Sequence, residues 1–288
     1  MGPGRTRLRR RRGPAALHRR RRPGRVPAFH VLHLPQAEAP AQPRPIRRAR
    51  PGRGGRVSGG AGVLAGRRIA VAGAGGGLGP DVVAALRDAG AWVAAADRSA
   101  EQLERVAGMA DAAHAGDLTT ADGARGWASE LGTVDGLLHL VGGWRGGKPI
   151  EETDQADIDL LETLLFHTVV HTTRAFAPLL KAAGEHGRFA LVSSSVVARP
   201  PAGNAAYAAT KAAAEAWTLA FGAELADTGG TANVAVVTAI TTPQMRAENP
   251  DKAYRTFTDT AEIAAGLVFL CSDAARKMNG QRLHLHGA

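Results

Sequence analysis

A single cysteine, Cys271, among 288 residues leaves the chain unable to form an internal disulfide or a cysteine-based metal site. That usage fits a reducing, cytoplasmic setting. No apolar run reaches the roughly 18 residues of a membrane-spanning helix, so no membrane segment is expected. Acidic residues are scarce in one region only. From Met1 to Arg56 there are 17 Lys/Arg against the single acid Glu38, net +16, and the remainder carries 19 Lys/Arg against 25 Asp/Glu, net −6. The overall charge of +10 therefore describes the leader, and the body behind it is mildly acidic. Global charge gives no ground for nucleic-acid binding.

The leader, residues 1–62, is rich in Arg, Pro and Gly and has no helical or strand period, so disorder is expected. It lacks the apolar stretch of an export signal and the Ser/Thr content of a transit peptide. Beyond Phe29 it also lacks the aromatics that would interleave in a nucleic-acid-binding arm. The plain reading is an extension without function, for which an over-extended translation start is one source. The alternative is an Arg-rich nucleic-acid-binding arm, which a salt-sensitive gel shift with and without residues 1–60 separates.

From Leu64 onward strands alternate with helices. Apolar, β-rich runs occupy 67–73 and 91–97, others end near Gly116, Val141, Ser193 and Val237, and the last is 282–287. Helical stretches lie between them, the longest over 154–181 and 204–226. This order predicts an α/β fold, a Rossmann-type doubly wound, mostly parallel seven-stranded sheet with helices on both faces, as one domain over 63–288.

The stretch "VAGAGGGLGP", Val71 to Pro80, places five glycines in seven residues between a strand and a helix. Unpaired backbone N–H groups and the positive helix end there suit an anion, and a dinucleotide pyrophosphate fits. Pro80 belongs in a first helical turn. The spacing Gly73-x-x-x-Gly77-x-Gly79 departs from G-x-G-x-x-G, so taken alone the stretch is equally a flexible structural turn. Asp97 closes the second strand 18 residues after Gly79, near the separation at which an acid meets the adenosine ribose. A helix cap is the other reading of Asp97, although Ser99 is placed to cap that helix itself.

"YAATK", Tyr207 to Lys211, sets a phenol and an ammonium on one helix face. A nearby ammonium favours phenolate and lowers the tyrosine pKa from about 10. "VSSSV", 192–196, ends a strand where hydroxyls reach the carboxyl edge of the sheet. Alone, either piece is an ordinary surface helix or a Ser-rich loop.

Together these residues closely resemble the short-chain dehydrogenase/reductase family over about Leu64 to Ala288. The glycine turn, the acid after strand two, Asp117 in "AGDL", the Ser strand end, Tyr-x-x-x-Lys and the stretch 272–287 stand in family order. The resemblance implies hydride transfer between NAD(P)(H) and a small carbonyl or alcohol substrate. It implies Tyr207 as proton donor or acceptor and Lys211 as the group that lowers its pKa and binds the nicotinamide ribose. Ser194, 13 residues before Tyr207, would hold the substrate oxygen, with Ser195 as its rival. The implied cofactor contacts are Gly73, Gly77, Leu78, Gly79, Asp97, Arg98, Asp117, Leu118, Val141, Gly142, Ile240 and Thr242, with Asp117 at the adenine ring. NAD(H) is favoured because Asp97 repels a 2′-phosphate and Ala74, Gly75 and Gly76 add no base; Arg98 leaves NADP(H) open. A homotetramer or dimer, built on the two long helices and the last strand, is also implied.

Three positions depart from the family. "HLVG", His139 to Gly142, stands where Asn-Asn-Ala-Gly is usual, Leu165 replaces the helix Asn, and Val237-Thr238 replaces Pro-Gly. Leucine cannot hold a relay water, which leaves His167, Thr168 and His171 as substitutes. "VGGWRGG" (141–147) and "TAITTPQM" (238–245) look like the dihydropteridine reductase branch, in which Trp144 would stack a quinonoid ring. A nucleotide-binding pseudoenzyme is a third reading, motivated by Leu165 and opposed by intact Ser194, Tyr207 and Lys211. Removing residues 1–60 is expected to leave thermal stability and NADH affinity nearly unchanged, because no core-forming pattern begins before Leu64; a thermal melt and a fluorescence titration of the truncated chain check this.

Overall fold

The computed structural model describes residues 1–2 and 62–286, so the leader expectation falls outside the described residues. All elements below lie within Val57–Ala288. In chain order they are β1 (Arg68–Ala72), α1 (Gly79–Asp88), β2 (Trp92–Asp97), α2 (Ala100–Leu103), β3 (Ala112–Ala115), α3 (Ala121–Leu131) and β4 (Gly136–His139). Next come α4 (Gln155–Glu162), a π-turn (Thr163–His167), α5 (Thr168–Ala182), β5 (Arg188–Ser194), α6 (Ala205–Leu225) and β6 (Thr231–Val237). The chain ends with β7 (Ala239–Thr241), α7 (Pro243–Glu248), β8 (Phe257–Asp259), α8 (Thr260–Cys271) and β9 (Arg282–His284).

Seven strands form one sheet in the order β3-β2-β1-β4-β5-β6-β9, with every pairing parallel. A parallel sheet covered on both sides needs apolar residues at successive positions, and alternate residues of each strand serve opposite cores. Ile69, Val71, Val93, Ala95, Leu138, Ala190, Val192, Ala235 and Val237 pack with α1 and α8. Ala70, Ala72, Ala96, Leu137, Phe189, Leu191 and Ala232 pack with α3, α5 and α6, where Trp127 meets the ring of Phe176 edge-on at 4.8 Å. No helix among the described residues is long and apolar enough to cross a membrane.

The strand order reverses between β1 and β4, and the crevice between their carboxyl ends is where open α/β sheets take ligands. Two features depart from the sequence expectation. The helix over 154–181 is interrupted by the π-turn Thr163–His167, in which the Thr168 N–H reaches the Thr163 carbonyl. A second, two-stranded parallel sheet, β7 with β8, frames α7 beside the crevice.

Helix α1 approaches β1 so closely that a Cβ on Gly79 would lie 1.8 Å from the Ala74 carbonyl oxygen. Gly126, in mid-α3, has open space where a side chain would begin. Gly79→Ala is therefore expected to cost at least about 2 kcal/mol through backbone displacement. Gly126→Ala is expected to stabilise by about 0.5–1 kcal/mol through helix propensity. Urea denaturation of both variants measures the contrast.

Candidate active site

The glycine turn follows β1 into the crevice. Gly73 adopts φ +81°, which a side chain rarely takes, and a Cβ there would come within 2.7 Å of the Val141 amide nitrogen after β4. Gly76 and Gly77 are exposed, and a Cβ on Gly77 would first meet the Thr242 methyl at 3.7 Å. Helix α1 opens behind this turn, with Leu78 buried at its N-cap. The surface is thus bare backbone at a helix N-terminus, which suits a pyrophosphate. Val141 and Gly142 line one side and Thr242, the N-cap of α7, faces the turn from another. Ile240 is partly buried against the core beneath it.

At the far side, Asp97 ends β2. Its Oδ2 accepts from the Gly75 N–H at 2.9 Å and its Oδ1 from the Arg98 N–H at 2.8 Å, so the carboxylate braces the glycine turn. The cap of α2 is Ser99, whose hydroxyl accepts from the Gln102 N–H at 3.3 Å, so the helix-cap reading of Asp97 does not hold. A Cβ on Gly75 would strike Gln102 at 2.6 Å, and Arg105 donates to the Gly75 carbonyl at 3.0 Å. Neither contact was visible in the sequence. Asp117 is exposed and its Oδ1 accepts from both the N–H and the hydroxyl of Thr119, at 2.9 and 2.6 Å. The Leu118 side chain is buried in the core.

Strand β5 delivers Ser194, buried at its end, and α6 delivers Tyr207 and Lys211 one turn apart. Burial pushes the Tyr207 phenol above its ordinary range, and the Ser194 hydroxyl beside it pulls the other way. Lys211 gives its hydrogen bond elsewhere and is not among the groups that shift the phenol. Lys211 is itself buried, donates to the Val192 carbonyl at 2.9 Å, and is lowered to about 8 by desolvation, with Glu215 opposing. Ser195 pairs instead with the Thr238 hydroxyl at 3.0 Å. Trp144 is 55% exposed on the strap after β4, and its indole N–H donates to Asn204 Oδ1 at 3.1 Å.

None of the proposed substitutes for the helix Asn hydrogen-bonds Tyr207 or Lys211. Thr168 donates to the Leu164 carbonyl at 2.7 Å, Leu165 is buried, and exposed His167 lies against Phe166 and His171. The histidine that does face Lys211 is His139, the last residue of β4. It is fully buried without a side-chain partner on either ring nitrogen, and burial together with the Lys211 charge, opposed by the Thr168 backbone, holds its pKa at about 3.

The model of the family described as short chain dehydrogenase matches residues 67–253. The chain belongs to the short chain dehydrogenase family. Relatives include the 3-oxoacyl-(acyl-carrier-protein) reductase FabG of Escherichia coli (strain K12), 29% identical over 55% of this chain and 68% of that protein. The L-xylulose reductase of Bos taurus is 28% identical over 78% of this chain and 96% of that protein. Among solved structures, a short chain dehydrogenase from Salmonella enterica serovar Typhi is 25% identical with TM-score 0.71, covering 80% of this chain and 99% of that one. An NAD+-bound xylitol dehydrogenase has the same fold at 21% identity and TM-score 0.69, covering 78% and 99%. As a member of this family the protein is an NAD(P)-dependent oxidoreductase acting on a small-molecule substrate.

His139 carries a consequence for stability. Its folded pKa, about 3, lies below the ordinary 6.5, so the unfolded chain binds the extra proton between those values. The contribution of the neutral imidazole is complete above pH 6.5 and is lost as pH falls toward 3. Stability is expected to fall over that window by up to ~1.4 kcal/mol per pH unit from this group. His139→Asn should flatten the slope, measured by urea unfolding at several pH values.

Proposed function

We propose that the protein reduces a carbonyl with NADH, Tyr207 donating the proton. The observation that carries this is the convergence of Ser194, Tyr207 and Lys211 at the carboxyl edge of β5, beside the bare glycine turn. The nicotinamide supplies the hydride when bound. Ser194 holds the substrate oxygen. Tyr207, kept protonated by its burial, gives its proton to the oxygen as negative charge develops there. The Lys211 ammonium then faces the phenolate and stabilises it.

Preference for NADH rests on Asp97, whose carboxylate meets any 2′-phosphate with like charge. A shallow groove of about 20 Å³, lined by Arg145, Lys148, Asp157, Leu161 and Ala206, lies next to the start of α6, and Ser194, Tyr207 and Lys211 are not among its lining residues. The relatives' names make a 3-oxoacyl thioester and L-xylulose the first two probes. A cytoplasmic homo-oligomer, tetramer or dimer, completes the reading, and mass in solution tests it.

In a screen of these probes with aldehydes and ketones, Tyr207→Phe is expected to lower turnover by 10² to 10⁴, as is typical of lost acid–base catalysis, with NADH affinity retained. Full activity on every substrate the unmodified protein reduces would overturn the assignment. NADH should bind at least about tenfold tighter than NADPH, roughly 1.4 kcal/mol, and Asp97→Ala should narrow the gap.

A further inference from the structure

The reading above leaves the other neighbours of Lys211 without a role. On its own helix α6, Tyr207 lies one turn before it and Glu215 one turn after. From β4 comes the neutral ring of His139, and from β5 the Val192 carbonyl, which accepts the Lys211 hydrogen bond; the Ser193 and Ser194 hydroxyls serve Glu215 and Tyr207 in turn. Arg282 enters from β9 by way of Glu215. Glu215 stands out among them. Its side chain is 1% exposed, its Oε1 accepts from the Ser193 hydroxyl at 2.6 Å, and its Oε2 accepts from Arg282 Nε at 2.6 Å. Both carboxylate oxygens are thus matched, which is what a buried charge requires.

We propose that Glu215 is a positioning residue that keeps Lys211 in its ammonium form, with Ser193 and Arg282 fixing the carboxylate where its field reaches that amine. The proposal rests on Lys211 serving Tyr207 as described above. Lys211 spends its hydrogen bond on Val192, so Glu215 acts through charge and not through contact. Burial alone drives a lysine toward the neutral amine. Against that pull the Glu215 charge raises Lys211, and the balance stands at about 8. An amine so placed remains ammonium at neutral pH by a margin of only about tenfold. The carboxylate supplies part of that margin. Arg282 in turn ties the charge of the catalytic helix to the last strand of the sheet, since its side chain is 43% exposed and it is the counter-ion of Glu215.

The test follows the Lys211 Cε resonance in ¹³C-lysine-labelled protein through a pH titration, with the signal assigned by Lys211→Arg. The unmodified protein should titrate near 8. Glu215→Gln keeps the shape but removes the charge, and the midpoint should fall by about one unit. Glu215→Asp keeps the charge, and should restore the midpoint to within about 0.3 unit even where it lowers the melting temperature. An unmoved midpoint in Glu215→Gln would overturn the proposal. Should that variant fail to fold, Arg282→Gln takes its place: the Glu215 charge then faces Lys211 without its counter-ion, so the midpoint should rise, and an unmoved or lowered midpoint would overturn the proposal. Turnover separates this inference from the reading beneath it. The high-pH limb of kcat should move with the Lys211 midpoint. If the midpoint moves and the limb does not, Glu215 holds its role while Lys211 loses its own.

Discussion

The site depends on how closely three pieces of backbone approach one another at the reversal of strand order. Gly73 lies against Val141, Gly79 against Ala74 and Gly75 against Gln102, each at a separation no side chain tolerates. The first contact joins the ends of β1 and β4, the second folds the glycine turn tightly onto the start of α1, and the third brings α2 under the turn. Asp97 then locks the turn by accepting the Gly75 N–H. The crevice is therefore walled with peptide groups, and its chemistry toward a cofactor is that of N–H dipoles and one carboxylate.

The second determinant is desolvation on the α5 and α6 side. Tyr207, Lys211 and His139 share a region from which water is largely excluded, and burial pushes each toward its neutral form. His139 has no side-chain partner and stays neutral at neutral pH. Glu215, buried beside them, has both carboxylate oxygens matched. Lys211 lies between these cases. For the Tyr207 phenol, burial outweighs the opposing Ser194 hydroxyl.

Much of this was legible before the fold was known, because it is encoded at short range. The strand-to-glycine-to-helix order, the carboxylate ending β2, the cap offered by Ser99 and the one-turn spacing of Tyr207 and Lys211 are all local patterns. What escaped is set by distant packing. The residues Thr163 to His167, TLLFH, contain no Gly or Pro and read as plain helix; their widening depends on what α4 and α5 pack against. Strands β7 and β8 have three residues each, too few to show a period. Glu215 sits at a visible helical spacing from Lys211, but its partners lie 22 and 67 residues away along the chain. The spacing of Tyr207 and Lys211 reports a neighbouring charge and says nothing of the burial that raises the phenol.

The π-turn also keeps the phase of the helix behind it. A π-turn is an α-helix carrying one residue too many, and each residue advances the helix by about 100°. With it in place, Val169, Phe176 and Leu180 face the sheet while Arg174 and Lys181 face outward. A chain one residue shorter in this turn would close it as regular helix and leave the same side of α5 on the core, because the widened turn takes up the rotation of the extra residue. The segment Thr163 to His167 is thus the place where this long helix absorbs a change in length, and kin one residue shorter there should keep the α5 core and lack the wide turn.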